Sequence, residues 1–122
     1  MRVLIADDQK GVCEVLASLV DECGHEVVET VASGFDAIQA YSRHRPDVVL
    51  MDYYMSRLNG ATACRNILAR HPDAKIVLIS GVSTASEFAG SGAVAVLAKP
   101  IHLAELARVL NAQAELPAPV SA

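Results

Sequence analysis

The chain alternates between two hydrophobic periods. Continuous apolar runs rich in β-branched residues stand at Val3-Leu4-Ile5-Ala6, Val48-Val49-Leu50-Met51 and Ile76-Val77-Leu78-Ile79. Weaker runs occur at Val27-Val28 with Val31, and at Val94-Ala95-Val96-Leu97. A strand that is apolar at successive positions must bury both faces, which suits a sheet held between two helical layers. Between the runs the period becomes helical. Val12, Val15, Leu16, Leu19 and Cys23 fall at i, i+3, i+4, i+7 and i+11, one face of a helix that ends near Gly24. Ala37, Ile38 and Tyr41 predict a second helix, with Ser33 as N-cap and Asp36 three residues later. Asn59 is placed to cap a third, carrying Ala63, Cys64, Ile67 and Leu68, while Leu103, Leu106, Ala107 and Leu110 mark the last. A short helix is also expected within Ser83 to Gly90, curtailed by Gly81, Gly90 and Gly92.

The order β-α, five times over, implies a parallel sheet with helices on both faces. Such sheets gather their functional groups at the carboxyl ends of the strands. The polar residues that follow the runs are Asp7 and Asp8, Asp52, Ser80, and Lys99-Pro100. Each has a plain structural reading of its own. Asp7-Asp8 fits a helix cap, Asp52 and Ser80 fit turns, and Lys99-Pro100 fits a strand stop. Three acids, a hydroxyl and an amine at one sheet edge are harder to explain that way. Two carboxylates about 4 Å apart repel by about 4 kcal/mol at an effective dielectric of 20, so a trio calls for a cation. Oxygen donors with no Cys or His beside them favour Mg²⁺ or Mn²⁺ over zinc. A hard divalent ion beside a carboxylate, a hydroxyl and a lysine is the equipment of phosphoryl transfer.

Composition narrows the partners. With 122 residues, 52% of them apolar and 20% charged, the chain is long enough for one cored domain and too apolar for disorder. Ten basic against fourteen acidic residues give a net charge of −4, which argues against direct contact with nucleic acid or anionic membrane. The longest apolar stretch, Ala93 to Ala98, is too short to span a bilayer, and Val3 to Ala6 is too short for a signal peptide. Cys13, Cys23 and Cys64 are odd in number and form no C-x-x-C, as expected of reduced, mostly buried thiols in a cytoplasmic protein. His25, His44, His71 and His102 fall at no metal-ligand spacing and are expected at the surface.

Val3-Leu4-Ile5-Ala6-Asp7-Asp8, Pro46 to Asp52 with Gly60 eight residues on, Ile79-Ser80-Gly81 and Leu97-Ala98-Lys99-Pro100 together resemble the receiver domain of two-component response regulators. The resemblance covers Met1 to about Asn111, nearly the whole chain. It implies a flavodoxin-like (βα)5 three-layer sandwich with parallel sheet order 2-1-3-4-5. It implies that Asp52 accepts a phosphoryl group from a histidine kinase or phosphotransfer protein. Mg²⁺ would be held by Asp7, Asp8, Asp52 and the backbone carbonyl of Tyr54, with Ser80 and Lys99 meeting the phosphoryl group. In the family the Lys-Pro bond is usually cis. The expected organisation is a receiver over residues 1–112 and a flexible Pro/Ala-rich tail or linker stub over 113–122. The protein would act as a monomer or weak dimer, its only chemistry being self-phosphorylation and autodephosphorylation at Asp52.

Four features depart from the family pattern. Ser56 stands where Pro is usual, Val96 where an aromatic residue usually rotates on activation, and bulky Tyr54 where a side chain overhangs the site. Ser80 to Lys99 is also about three residues short, close to one turn, so the fourth helix should be truncated. Other readings share part of the pattern. A flavodoxin-like nucleotide binder would want a Ser/Thr/Gly-rich loop where Asp7-Asp8 stand. A haloacid-dehalogenase-type phosphatase would want an acid at Tyr54. A degenerate receiver kept as a scaffold, or the N-terminal part of a larger regulator, stays compatible with the residues.

Overall fold

The computed structural model describes residues 1–81 and 90–115. Five strands form one sheet: β1 (Arg2–Ala6), β2 (Glu26–Val31), β3 (Val48–Asp52), β4 (Ile76–Ser80) and β5 (Ala95–Ala98). All neighbours are parallel and the spatial order is β2-β1-β3-β4-β5, as expected. The helices are α1 (Lys10–Glu22), α2 (Gly34–His44), α3 (Gly60–Arg70) and α4 (Leu103–Glu115). The expected short helix after β4 and most of the expected tail lie outside the described residues.

Strand position in the sheet explains the burial. The central strands β3 and β4 are buried at every residue, which is why their sequences read as unbroken apolar runs. Their side chains alternate between two cores. Leu4, Val49, Met51, Ile76 and Leu78 pack with Ala37, Ala40, Cys64 and Ile67 on the α2–α3 side. Val3, Ile5, Leu50, Val77 and Ile79 pack with Leu16, Val20, Leu106 and Leu110 on the α1–α4 side. The edge strands are only half covered. In β2 a single residue is buried, and on β5 Val96 is 45% exposed. This is why those two runs were weak in the sequence.

Local chemistry sets the helix starts. Ser33 Oγ accepts from the Asp36 N–H at 3.0 Å, and Asn59 Oδ1 accepts from the Thr62 N–H at 2.8 Å, so both expected caps form. Gln9 stands at the N-cap of α1 and makes no side-chain cap bond. At its far end α4 runs to Glu115, three residues past the boundary expected at residue 112. Two contacts extend it: Gln113 is buried, and Lys75 Nζ donates to the Gln113 carbonyl at 3.1 Å, capping the helix end.

One further expectation needs adjustment. His25, His44 and His71 are partly buried rather than on the surface. His44 pairs with Glu29 at 2.7 Å, and the His71 ring packs 4.9 Å from that of Tyr41. The three cysteines are free, with Cys13 and Cys64 buried and Cys23 half-buried. Burial pushes the Cys64 thiol up to about 11, which makes it an inert packing group. Removing the Asn59 cap with Asn59→Ala should cost about 1 kcal/mol, whereas the core truncation Leu78→Ala should cost about 3 kcal/mol. Urea unfolding of both variants checks the ranking.

Candidate functional site

Each acidic residue is carried to the same edge by a strand end. Asp7 directly follows β1, where its N–H donates to the Val31 carbonyl at 3.0 Å and extends the ladder to β2. Asp52 is the last residue of β3, and the next N–H, of Tyr53, bonds to the Ile79 carbonyl at 2.8 Å. Ser80 ends β4 and is buried; its carbonyl accepts from the Lys99 N–H at 2.9 Å, which fixes the start of the Lys99 side chain. The Lys99–Pro100 peptide bond is cis. Asp7 and Asp52 are only 1% and 4% exposed, whereas Asp8 is exposed.

The turn after Asp52 depends on a glycine. The Gly60 N–H donates to the Tyr53 carbonyl at 2.7 Å, closing the loop onto the end of β3. A Cβ at Gly60 would collide with the Asp52 carbonyl, so no other residue fits without moving the strand end.

Charge accumulates at this edge. One carboxylate oxygen from each of Asp7, Asp8 and Asp52 lies within 4.8 Å of the others. Lys99 Nζ stands 3.1 Å from Asp52 Oδ1 and 3.5 Å from Asp7 Oδ2. Asp7 Oδ1 accepts from the Gln9 N–H at 2.9 Å, whereas Oδ2 is buried with no hydrogen-bond partner. At 3.5 Å the lysine attracts Asp7 Oδ2 by charge without bonding it. Burial, and then repulsion from Asp7, push the Asp52 carboxyl above its ordinary pKa, even with Lys99 beside it. Burial by itself would lower the Lys99 ammonium, but the hydrogen bond and charge of Asp52, with the charge of Asp7, outweigh it and hold the pKa above the ordinary value.

Three carboxylates against one ammonium leave a net charge of about −2 when all are ionised. A buried carboxylate oxygen without a hydrogen bond, within a cluster of hard oxygen donors, fits a Mg²⁺ ion. A cavity of about 240 Å³ opens on the β2 side of Asp7 and Asp8, where Lys10 and Thr30 also line it. The larger groove of about 730 Å³ between α1 and residues 99–101 has mainly apolar walls and no acidic group.

Asp7, Asp8, Asp52 and Lys99 thus converge as the sequence led us to expect, and Ser80 arrives at the same edge through its register with Ala98. Tyr54 lies in the loop just past Asp52, about half exposed. Two supporting residues were not foreseen. The Cys13 thiol donates to the Asp7 carbonyl at 3.3 Å, and the Tyr53 ring packs edge-on against Tyr54, with centroids 4.7 Å apart. Adjacent tyrosines after an acid were the visible signal for the second; the first needed the fold.

A parallel sheet of order 2-1-3-4-5 with acids gathered at the carboxyl ends of its strands places the chain among flavodoxin-like α/β domains. Residues 3–111 match the family model of the response regulator receiver domain, and the chain belongs to that family. It is 42% identical over 107 residues to protein-glutamate methylesterase/protein-glutamine glutaminase 4 of Geobacter metallireducens, covering 82% of this chain and 30% of that protein. It is 31% identical over 113 residues to chemotaxis protein CheY of Thermotoga maritima, covering 90% of this chain and 94% of that one. Among solved structures it is similar to the receiver domain of sensor histidine kinase PA1611 from Pseudomonas aeruginosa, which carries a magnesium ion in its active site cleft. There the TM-score is 0.84 at 27% identity, with 92% of this chain and 95% of that one covered. The chain therefore spans less than a third of the methylesterase relative and nearly all of the CheY relative.

The raised Asp52 pKa has a consequence for stability. The folded protein holds the Asp52 proton more tightly than the unfolded chain does, so this group favours folding at low pH and loses that effect as pH rises through its folded pKa. Asp52→Asn should therefore raise the melting temperature at pH 7 in metal-free buffer, with the gain shrinking as pH falls toward 3.8, the ordinary carboxyl value. Thermal melts of both proteins across that range check the sign.

Proposed function

We propose that Asp52 is the phosphoacceptor of this receiver and that the donor is the phosphohistidine of a histidine kinase or phosphotransfer protein. The observation that carries the reading is Asp52 itself: a buried carboxylate with Lys99 Nζ at 3.1 Å and two further acids within 4.8 Å. In the transfer a carboxylate oxygen of Asp52 attacks phosphorus in line, the P–N bond breaks, and its electron pair returns to the donor imidazole. Lys99 sits against Asp52, where its ammonium would pair with an incoming phosphoryl oxygen. Ser80, buried at the end of the neighbouring strand, would donate its hydroxyl to another. Asp7, Asp8, Asp52 and the backbone carbonyl of Tyr54 would hold Mg²⁺, with Mn²⁺ as a substitute. The ion, when bound, neutralises charge on the phosphoryl oxygens.

The wider reading follows from the relatives. The Geobacter relative is named as a methylesterase and glutaminase, and only its receiver portion is matched here. That supports this chain as a phosphorylatable switch without an active site for ester or amide hydrolysis, able to serve alone or as the receiver of a larger regulator. Among the described residues no helix is long and apolar enough to cross a membrane. We place the working protein in the cytoplasm, as a monomer or weak dimer.

Treatment with acetyl phosphate and Mg²⁺, read by intact mass spectrometry, should add one phosphoryl group to the native chain and none to Asp52→Asn or to a chelated sample. A label found on His or Ser in the native protein would refute the assignment. Asp8→Asn should weaken Mg²⁺ binding by about tenfold or more and slow phosphorylation with it. Tyrosine fluorescence gives the titration signal, because the chain has no tryptophan and carries Tyr53 and Tyr54 beside the site.

A further inference from the structure

A closed circuit of hydrogen bonds ties Asp7 to the first turn of α1. The Gln9 N–H donates to Asp7 Oδ1 at 2.9 Å, the Cys13 N–H donates to the Gln9 carbonyl at 3.1 Å, and the Cys13 thiol returns to the Asp7 carbonyl at 3.3 Å. Asp7 is buried, so its carbonyl needs a donor, and the thiol supplies one. Cys13 is itself buried and packs with Leu16 and Val20 in the core on the α1–α4 side, which fixes where the thiol starts. Burial, and then the charge of Asp7, raise the thiol pKa, so the proton that makes it a donor stays in place at neutral pH.

We propose that Cys13 is a positioning residue that sets the Asp7 carboxylate for the divalent ion. The inference rests on Asp7 being a ligand of that ion. A carboxylate on a short side chain turns unless the backbone beneath it is held and one of its oxygens is engaged. The Asp7 N–H is bonded to the Val31 carbonyl at 3.0 Å and the Asp7 carbonyl to the thiol, so the peptide planes on both sides of its Cα are tied. Gln9 then makes the two carboxylate oxygens inequivalent. Oδ1 is taken up by the turn, while Oδ2 stands 3.5 Å from Lys99 Nζ, buried and without a hydrogen bond. Loss of the thiol frees the Asp7–Asp8 peptide plane to rotate, which loosens the Gln9 contact and lets the carboxylate turn. A metal ligand held by its outer contacts binds more tightly than one that must be ordered on binding. The thiol acts through Asp7, and because it is a weak donor its effect is a few-fold.

The test combines Mg²⁺ titration by tyrosine fluorescence with deuterium exchange of the Gln9 amide, followed by NMR in metal-free protein. Cys13→Val is close in size and has no donor, whereas Cys13→Ser keeps one. In Cys13→Val the Mg²⁺ affinity should fall about threefold and the Gln9 amide should exchange about threefold faster, the low end for one hydrogen bond. Cys13→Ser should match the native chain in both. A purely structural role would lower the melting temperature and leave Mg²⁺ affinity, measured well below melting, where it was. In an Asp7→Asn background, Cys13→Val should weaken binding no further, since no charged oxygen is left to orient. Should Cys13→Val fail to fold, Cys13→Ala removes the donor without adding bulk and should show the same loss. Native Mg²⁺ affinity in the variant without a donor, or an equal loss in Cys13→Ser, would overturn the proposal. Native affinity in Asp7→Asn would instead overturn the ligand reading on which it rests.

Discussion

The structure depends on holding like charges together where solvent is scarce. Asp7 and Asp52 are both buried, Asp8 stands beside them, and a single lysine reaches the pair. Two carboxylates at the observed limit of 4.8 Å repel by about 3.5 kcal/mol at an effective dielectric of 20, while the Lys99–Asp52 pair at 3.1 Å attracts by about 5 kcal/mol. The Lys99–Asp7 pair at 3.5 Å adds about 4.7 kcal/mol on the same scale, so one ammonium offsets much of the repulsion, yet three carboxylates still outnumber it. The edge is thus stable enough to exist and short of positive charge, a state that a divalent ion or a changed charge on Asp52 alters strongly. Responsiveness to charge is built into the fold as an electrostatic deficit.

Such a deficit needs a rigid frame, or the acids would swing apart into water. The backbone provides it. The Asp7 N–H bonds across to β2, the Tyr53 N–H to β4, and the Lys99 N–H to the residue ending β4. Each site residue is therefore tied to a neighbouring strand within a residue of the functional side chain. Beneath them the central strands carry no exposed position in β3 or β4, so the frame cannot shift without opening both cores. Gly60 adds a steric lock, because α3 begins against the Asp52 carbonyl itself.

Away from this edge the molecule is less constrained. The exposed side of β5, with Val94 at 42% and Val96 at 45%, lacks the aromatic ring that the family pattern places at Val96. A short β-branched side chain has one torsion and no ring to swing between buried and exposed states. The segment turning into β5 is tied to α3, where the Cys64 thiol donates to the Ser91 carbonyl at 3.3 Å.

Much of this was legible in the chain itself. Val48 to Met51 and Ile76 to Ile79 read as strands buried on both faces because a central parallel strand requires apolar groups at every position. Ser33 and Asn59 read as caps because a helix start leaves donors that only a nearby side-chain oxygen can satisfy. Asp7, Asp8, Asp52 and Lys99 were legible because a parallel sheet sends every strand end to one edge, so position along the chain already implies convergence. Other features depend on groups distant in sequence and could not be read that way. The sequence does not say that Lys99 stands closer to Asp52 than to Asp7, or that one oxygen of Asp7 is left buried without a hydrogen bond. Nor does it say that α4 continues to Glu115 under the cap of Lys75, or that His44 turns inward to Glu29. Periodicity and spacing are properties of neighbours along the chain and determine elements and their order; distances, burial and charge balance arise between elements, and only their packing decided them.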